Sequence, residues 1–168
     1  MWKIASAVAV VGALCCASVA LAGGGAAERY QHHAITVRGK TVQRNLVDAG
    51  EPGFTLGDQV AFSDDLRADG KPAGHDGGAC TLVRIADAEA QSGTAQCQVT
   101  YSLDGGQVTT QGLLTLTEGG FVGVQRAAIT GGTGRFRGAG GESTLEFIRP
   151  GELKITLALR RTHPARVS

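Results

Sequence analysis

From His32 onward, apolar and polar residues alternate in short runs, and glycine-rich breaks separate the runs. No window keeps an apolar 3.6-residue period for three turns, so no amphipathic helix is expected. A period of two places successive side chains on opposite faces of a strand. Eight runs fit that pattern: 32–42, 58–66, 79–86, 94–103, 107–117, 121–130, 140–148 and 152–161. The breaks carry turn chemistry. Residues 44–55 form a long polar connection with Pro52-Gly53, and 68–72 and 87–93 read as loops. Asp104-Gly105-Gly106 is a strong hairpin signal, and Glu118-Gly119-Gly120 and Arg149-Pro150-Gly151 close two further pairs.

The sharpest break is Ala128-Ile129-Thr130-Gly131-Gly132-Thr133-Gly134-Arg135-Phe136-Arg137-Gly138. A β-branched run stops at three glycines in four residues and restarts at Phe136. Glycine tolerates positive φ, so the stretch reads as a sharp reversal between strands. A phosphate-binding loop fits badly, because Arg135-Phe136 stands where a Lys-Ser/Thr pair is needed.

Consecutive short strands with mostly short links predict an all-β fold, an eight-stranded antiparallel up-and-down β-barrel whose closure removes exposed edges. Such a barrel holds packed side chains or one small ligand. The rival immunoglobulin-type sandwich usually brings a buried Trp and longer crossovers, and neither is present in this region.

The first 22 residues change the picture of the remainder. Lys3 precedes an apolar, small-residue run from Ile4 to Leu21, and Ala20-Leu21-Ala22 is an A-x-A-like cleavage site. The expectation is a signal peptide over 1–22, a flexible leader over 23–31, the barrel over 32–162 and a tail over 163–168. Cleavage near Ala22 predicts a secreted chain, extracellular or periplasmic, with no membrane attachment afterwards. Removing 22 of 168 residues leaves 146, with 15 basic and 15 acidic side chains. That neutrality argues against nucleic acid or an anionic membrane as partner, since both require clustered Lys and Arg.

Two cysteines remain after cleavage, Cys80 and Cys97. They lie on consecutive strands, equally far from a loop centred on Ala88-Glu89, so they can face each other across one rung. An exported chain favours a structural disulfide. A redox pair or catalytic thiol is the alternative, but it lacks Cys-x-x-Cys spacing or an adjacent His to lower a thiol pKa.

Alternation groups Val60, Phe62, Asp64 and Leu66 on one face, Cys80, Leu82 and Arg84 on another, and Cys97, Val99 and Tyr101 on a third. If these faces point inward, Asp64 and Arg84 meet across neighbouring strands. Asp64 is then the candidate catalytic residue, a carboxylate able to orient a ligand or move a proton. Its bland alternative is an ion pair near the barrel mouth. Tyr101 and Gln111 are candidate hydrogen-bonding groups for a ligand. His32-His33 and His75-Asp76 lack the spaced ligand set a metal needs and read as loop residues, so no metal and no cofactor are expected. Arg135 and Arg137 read as surface residues.

Several stretches resemble a known family. Gly57-Asp58-Gln59-Val60-Ala61-Phe62, Val99-Thr100-Tyr101-Ser102-Leu103 and Gln111-Gly112 resemble strands of allene oxide cyclases. Ile129-Thr130-Gly131-Gly132-Thr133-Gly134 resembles a turn shared by those cyclases and plant dirigent proteins. The resemblance spans about residues 32–160 and is closest to bacterial secreted members of that barrel superfamily. It implies an eight-stranded barrel, commonly a homotrimer, with a hydrophobic ligand cavity. It places Cys80 and Cys97 on the inner face and sets Asp64, Cys80, Cys97 and Leu114 at pocket positions. Asp64-Asp65 resembles an acidic pair of dirigent proteins. The first-strand glutamate of the cyclases has no acid at its place in Ala34–Lys40, and Gly140 stands where dirigent proteins carry an arginine. Neither plant reaction is therefore expected as such. The expected function is to bind a small hydrophobic molecule in the interior, as a cyclase, isomerase or stereocontrolling protein. The ligand-binding candidates are Phe62, Arg84, Tyr101, Gln111 and Leu114. A ligand carrier and a filled structural domain are the alternatives.

Overall fold

The structure, a computed structural model, describes residues 31–161. The expected signal segment, the tail and all of the leader except Gln31 lie outside the described residues. The strands are β1 (Gln31–Val47), β2 (Gln59–Ala68), β3 (Lys71–Asp87), β4 (Ser92–Leu103), β5 (Gly106–Thr117), β6 (Gly120–Phe121), β7 (Val124–Gly132), β8 (Ala139–Arg149) and β9 (Glu152–Arg161). Neighbours pair antiparallel in the order β4-β3-β2-β1-β9-β8-β7-β5, and β4 pairs with β5 to close the ring. Eight strands form the barrel, and the two-residue β6 adds only to the end of β5.

Alternation explains the interior. In β4 every second residue from Gly93 to Leu103 is buried, and in β9 Ile155, Leu157 and Leu159 are almost fully so. One end is packed shut. There Leu66, Leu103, Val108, Ala139 and Leu159 belong to the same buried cluster as Phe136, which is 2% exposed. Phe136 sits on a single 3-10 turn, Gly134–Phe136, in the glycine break. That turn locks against the β4–β5 hairpin: Arg135 N–H donates to Gly105 O at 2.8 Å and Thr133 N–H to Gln107 O at 2.9 Å. The approach is backbone on backbone, since a Cβ on Gly134 (φ +56°) would stand 2.2 Å from Gly105 O. Only glycine fits there.

Three elements differ from the sequence expectation. First, β1 runs five residues past Val42, to Val47, so the polar connection is shorter than read. Second, β3 begins at Lys71 rather than Ala79, and both His75-Asp76 in β3 and His32-His33 in β1 are strand residues, not loop residues. Its glycines are close-approach positions within a strand. A Cβ on Gly78 would meet Gln98 O at 2.7 Å and the Phe62 ring at 3.0 Å. Third, the sixth run breaks into β6 and β7 at Gly123, where φ is +70°. Across that gap the Gln125 side chain substitutes for a strand: Thr115 N–H donates to its Oε1 at 2.6 Å, and its Nε2 donates to Thr115 O at 2.8 Å.

Candidate functional site

The end away from Phe136 is open, and a cavity of about 510 Å³ runs inward from it. Its rim is formed by Leu46, Phe54, Glu118 and the Arg149–Glu152 turn. Below the rim, Phe121 and Phe147 stack with ring centroids 5.6 Å apart. The walls are apolar, with Phe62, Leu82, Val99, Leu114 and the Cys80–Cys97 disulfide. The cysteines are direct register partners, as their spacing predicts.

The floor is polar. Thr41 pairs with Asp64, Asp64 with Asp76, and Asp76 with Tyr101, so one rung crosses four strands. On β2, β3 and β4 these are the innermost residues that line the cavity. Asp64 and Asp76 are each 2% exposed and Tyr101 is 1% exposed. The Asp64 N–H donates to Asp76 Oδ1 at 3.2 Å, while Asp64 Oδ1 is buried without a hydrogen-bond partner. Ser143 Oγ, on β8, is likewise unpartnered.

Two carboxyls in one dry place cannot both ionise cheaply. Burial, reinforced by the charge of Asp64, pushes Asp76 up to about 8. Burial also raises Asp64, and hydrogen bonding from Thr41 pulls part of the way back. The pair therefore holds a proton at neutral pH and titrates as a unit. Burial raises Tyr101 well above the ordinary phenol range, so it stays a neutral hydroxyl among Thr110, Ser143 and the two acids.

The structure gathers Phe62, Asp64, Tyr101, Leu114 and the disulfide at the cavity, and leaves out two expected residues. Arg84 is exposed on the outer wall and does not meet Asp64. A bulge at Val83 pairs Leu82 with Ala95 but Arg84 with Thr94, which shifts the alternation by one. Gln111 also faces outward, beside Thr109 and Thr130. It is three residues from inward Leu114, and an odd spacing cannot share a face in a regular strand. The residue the sequence reading missed is Asp76. Its signal was the match of His75-Asp76 to Asp64-Asp65 across the 68–72 turn, masked by Pro72, Gly74, Gly77 and Gly78. Arg135 is exposed, as expected, with its guanidinium 4.9 Å from the Phe136 ring centre.

The closed eight-stranded antiparallel β-barrel defines the class of protein. The chain belongs to the allene oxide cyclase barrel-like domain family, which matches residues 36–158. Among solved structures it is similar to a pyocyanin demethylase, with 34% identity over 76% of this chain and 99% of that one, and a TM-score of 0.66. It shares the fold of a pterocarpan synthase dirigent protein (19% identity, 81% and 90% covered, TM-score 0.60). It also shares that of a Diels-Alderase from Streptomyces koyangensis (19% identity, 78% and 65% covered, TM-score 0.58). No curated protein matches this sequence.

Proposed function

We propose that this chain binds a small hydrophobic, conjugated molecule inside the barrel and moves a proton on it with the Asp64–Asp76 pair. The reaction class is that of a cyclase, isomerase or stereocontrolling protein. One observation carries the reading: a buried carboxyl pair at the floor of an apolar cavity of about 510 Å³. That volume lies in the usual range for small-molecule sites and argues against a filled structural interior.

The pair offers a donor and an acceptor side by side. Asp76, holding its proton, donates to a carbonyl, ether or ring atom of the guest. Asp64, with its free Oδ1, accepts a proton from a neighbouring position. The pair's total charge is the same before and after. Tyr101 holds a polar atom of the guest, and Phe62, Val99 and Leu114 fix its orientation. Positioned acid–base catalysis contributes about 10²–10⁴-fold.

The 34% identity to a pyocyanin demethylase makes pyocyanin the first substrate to try. The purified chain is incubated with pyocyanin: a proton moved from its N-methyl carbon to the ring leaves a methylene iminium on a reduced ring, which water opens to formaldehyde and the reduced, demethylated phenazine, and both products are followed by mass spectrometry. Turnover that falls at least about 100-fold in Asp64→Asn and Asp76→Asn supports the reading. Binding without turnover favours a carrier, and no binding of pyocyanin or related polycyclic molecules removes the cavity role.

We also propose export, since Cys80–Cys97 suits an oxidising compartment and residues 1–22 have the pattern of a signal. A homotrimer is proposed from the family resemblance, with exposed Leu113 and Val124 on adjacent β5 and β7 as candidate contacts. Light scattering of the purified chain tests it, and a monomer at micromolar concentration removes it.

A further inference from the structure

We infer that the cavity takes a guest whose buried end carries a positive charge, such as a quaternised ring nitrogen, and rejects one that would bury an anion. The inference rests on the reading that the barrel holds a small molecule, and it names the class. Among the described residues, the floor has two carboxyls and no cation to match them. The groups beside the pair are Thr41 on β1 and Tyr101 on β4, with the hydroxyls of Thr110 on β5 and Ser143 on β8 close by; all are uncharged. The basic residues that line the cavity, Arg44 and Arg149, are exposed at the rim, and Arg149 is already tied to Glu152 at 2.7 Å.

A buried charge without a partner is costly, and one answer is to keep a proton. The raised Asp76 fits that state. A second observation points to a missing ligand. Asp64 lines the cavity and is only 2% exposed, and its buried Oδ1 has no hydrogen-bond partner. A cationic guest supplies the absent counter-charge there and weakens the pair's hold on the shared proton, which passes to the guest where the guest has a basic atom and to solvent where, as in a quaternised probe, it has none. An anionic guest adds a further negative charge where no donor cation waits.

Three probes of one shape test this: N-methylacridinium, neutral acridine and acridine-9-carboxylate, each titrated into the full chain near pH 8 by calorimetry. The expected result is that the cation binds at least about 100-fold tighter than the carboxylate, as breaking a buried charge pairing implies. Its affinity rises with pH up to about 8, and at pH 7 binding releases a proton, visible as a dependence of the heat on buffer ionisation enthalpy. In Asp64→Asn/Asp76→Asn the preference for the cation disappears. If the double variant fails to fold, the pH series on the unchanged chain decides, and an affinity for the cation that is flat with pH overturns the inference. Equal binding of all three probes also overturns it, while leaving the cavity reading standing. Failure of all three to bind removes both.

Discussion

The two ends of the barrel are made from the same eight strands and solve different problems. At one end Phe136 and the interlocked glycine turns fill the interior, and backbone hydrogen bonds seal it. At the other, Phe121 and Phe147 are half-buried and stack beside an open cavity. The acidic rung lies where packing stops. The contrast sets a packed, hydrogen-bonded end against an open, less well-packed one, and the open end is where the proposed function needs room.

The largest break in that contrast comes from truncating the two aromatic anchors. Phe136→Ala removes a fully buried ring and is expected to cost about 3–5 kcal/mol. Phe147→Ala, half-buried at the open end, should cost less than half of that. Denaturant midpoints of the two variants check the order, and equal losses would erase the distinction between the ends.

The disulfide comes next. Replacing both Cys80 and Cys97 by Ser opens a loop closed on 17 residues of separation, and the chain-entropy account gives about 3 kcal/mol. Because the bridge lines the cavity, its loss should also loosen guest binding. Adding reductant to the unchanged chain is a second way to see the same shift in melting temperature.

The acidic floor makes a pH-dependent contribution of opposite sign. Asp76 has a folded pKa raised to about 8 from 3.8. Its folded form keeps a proton that the unfolded chain releases, so the stability it confers is present below pH 3.8 and is lost as pH rises towards 8. The melting temperature should therefore fall over that window in the unchanged chain and stay flatter in Asp76→Asn. A melt series across pH 4 to 9 reads this directly.

How far the sequence alone carries depends on the strand. In β4, residues 93–103 alternate without interruption, so Cys97, Val99 and Tyr101 were placed correctly. The eight-stranded architecture follows from such runs together with the glycine punctuation. β3 defeats the same logic. Its glycines are required because Phe62, Val99 and neighbouring backbone occupy their side-chain space, a long-range demand that local composition presents as a loop. With that strand start hidden, Asp76 is hidden too, and alternation alone pairs Asp64 with Arg84. The bulge at Val83 has no local signature, and the break at Gly123 shows only as a lone glycine within an alternating run.

The smallest expected effect concerns that break. Gln125→Ala leaves the Thr115 backbone groups to water on the outer wall, at a cost of about 1 kcal/mol. Hydrogen exchange at Thr115 should quicken more than at Thr110, which lies nearer the sealed end.

The seal around Phe136 has one more consequence, for traffic. A vessel with a single doorway cannot pass material straight through. Whatever is admitted must back out by the path it took, and the vacating molecule and the newcomer contend for the same passage. If the barrel turns a guest over as proposed, a product that keeps its precursor's outline should inhibit that precursor competitively.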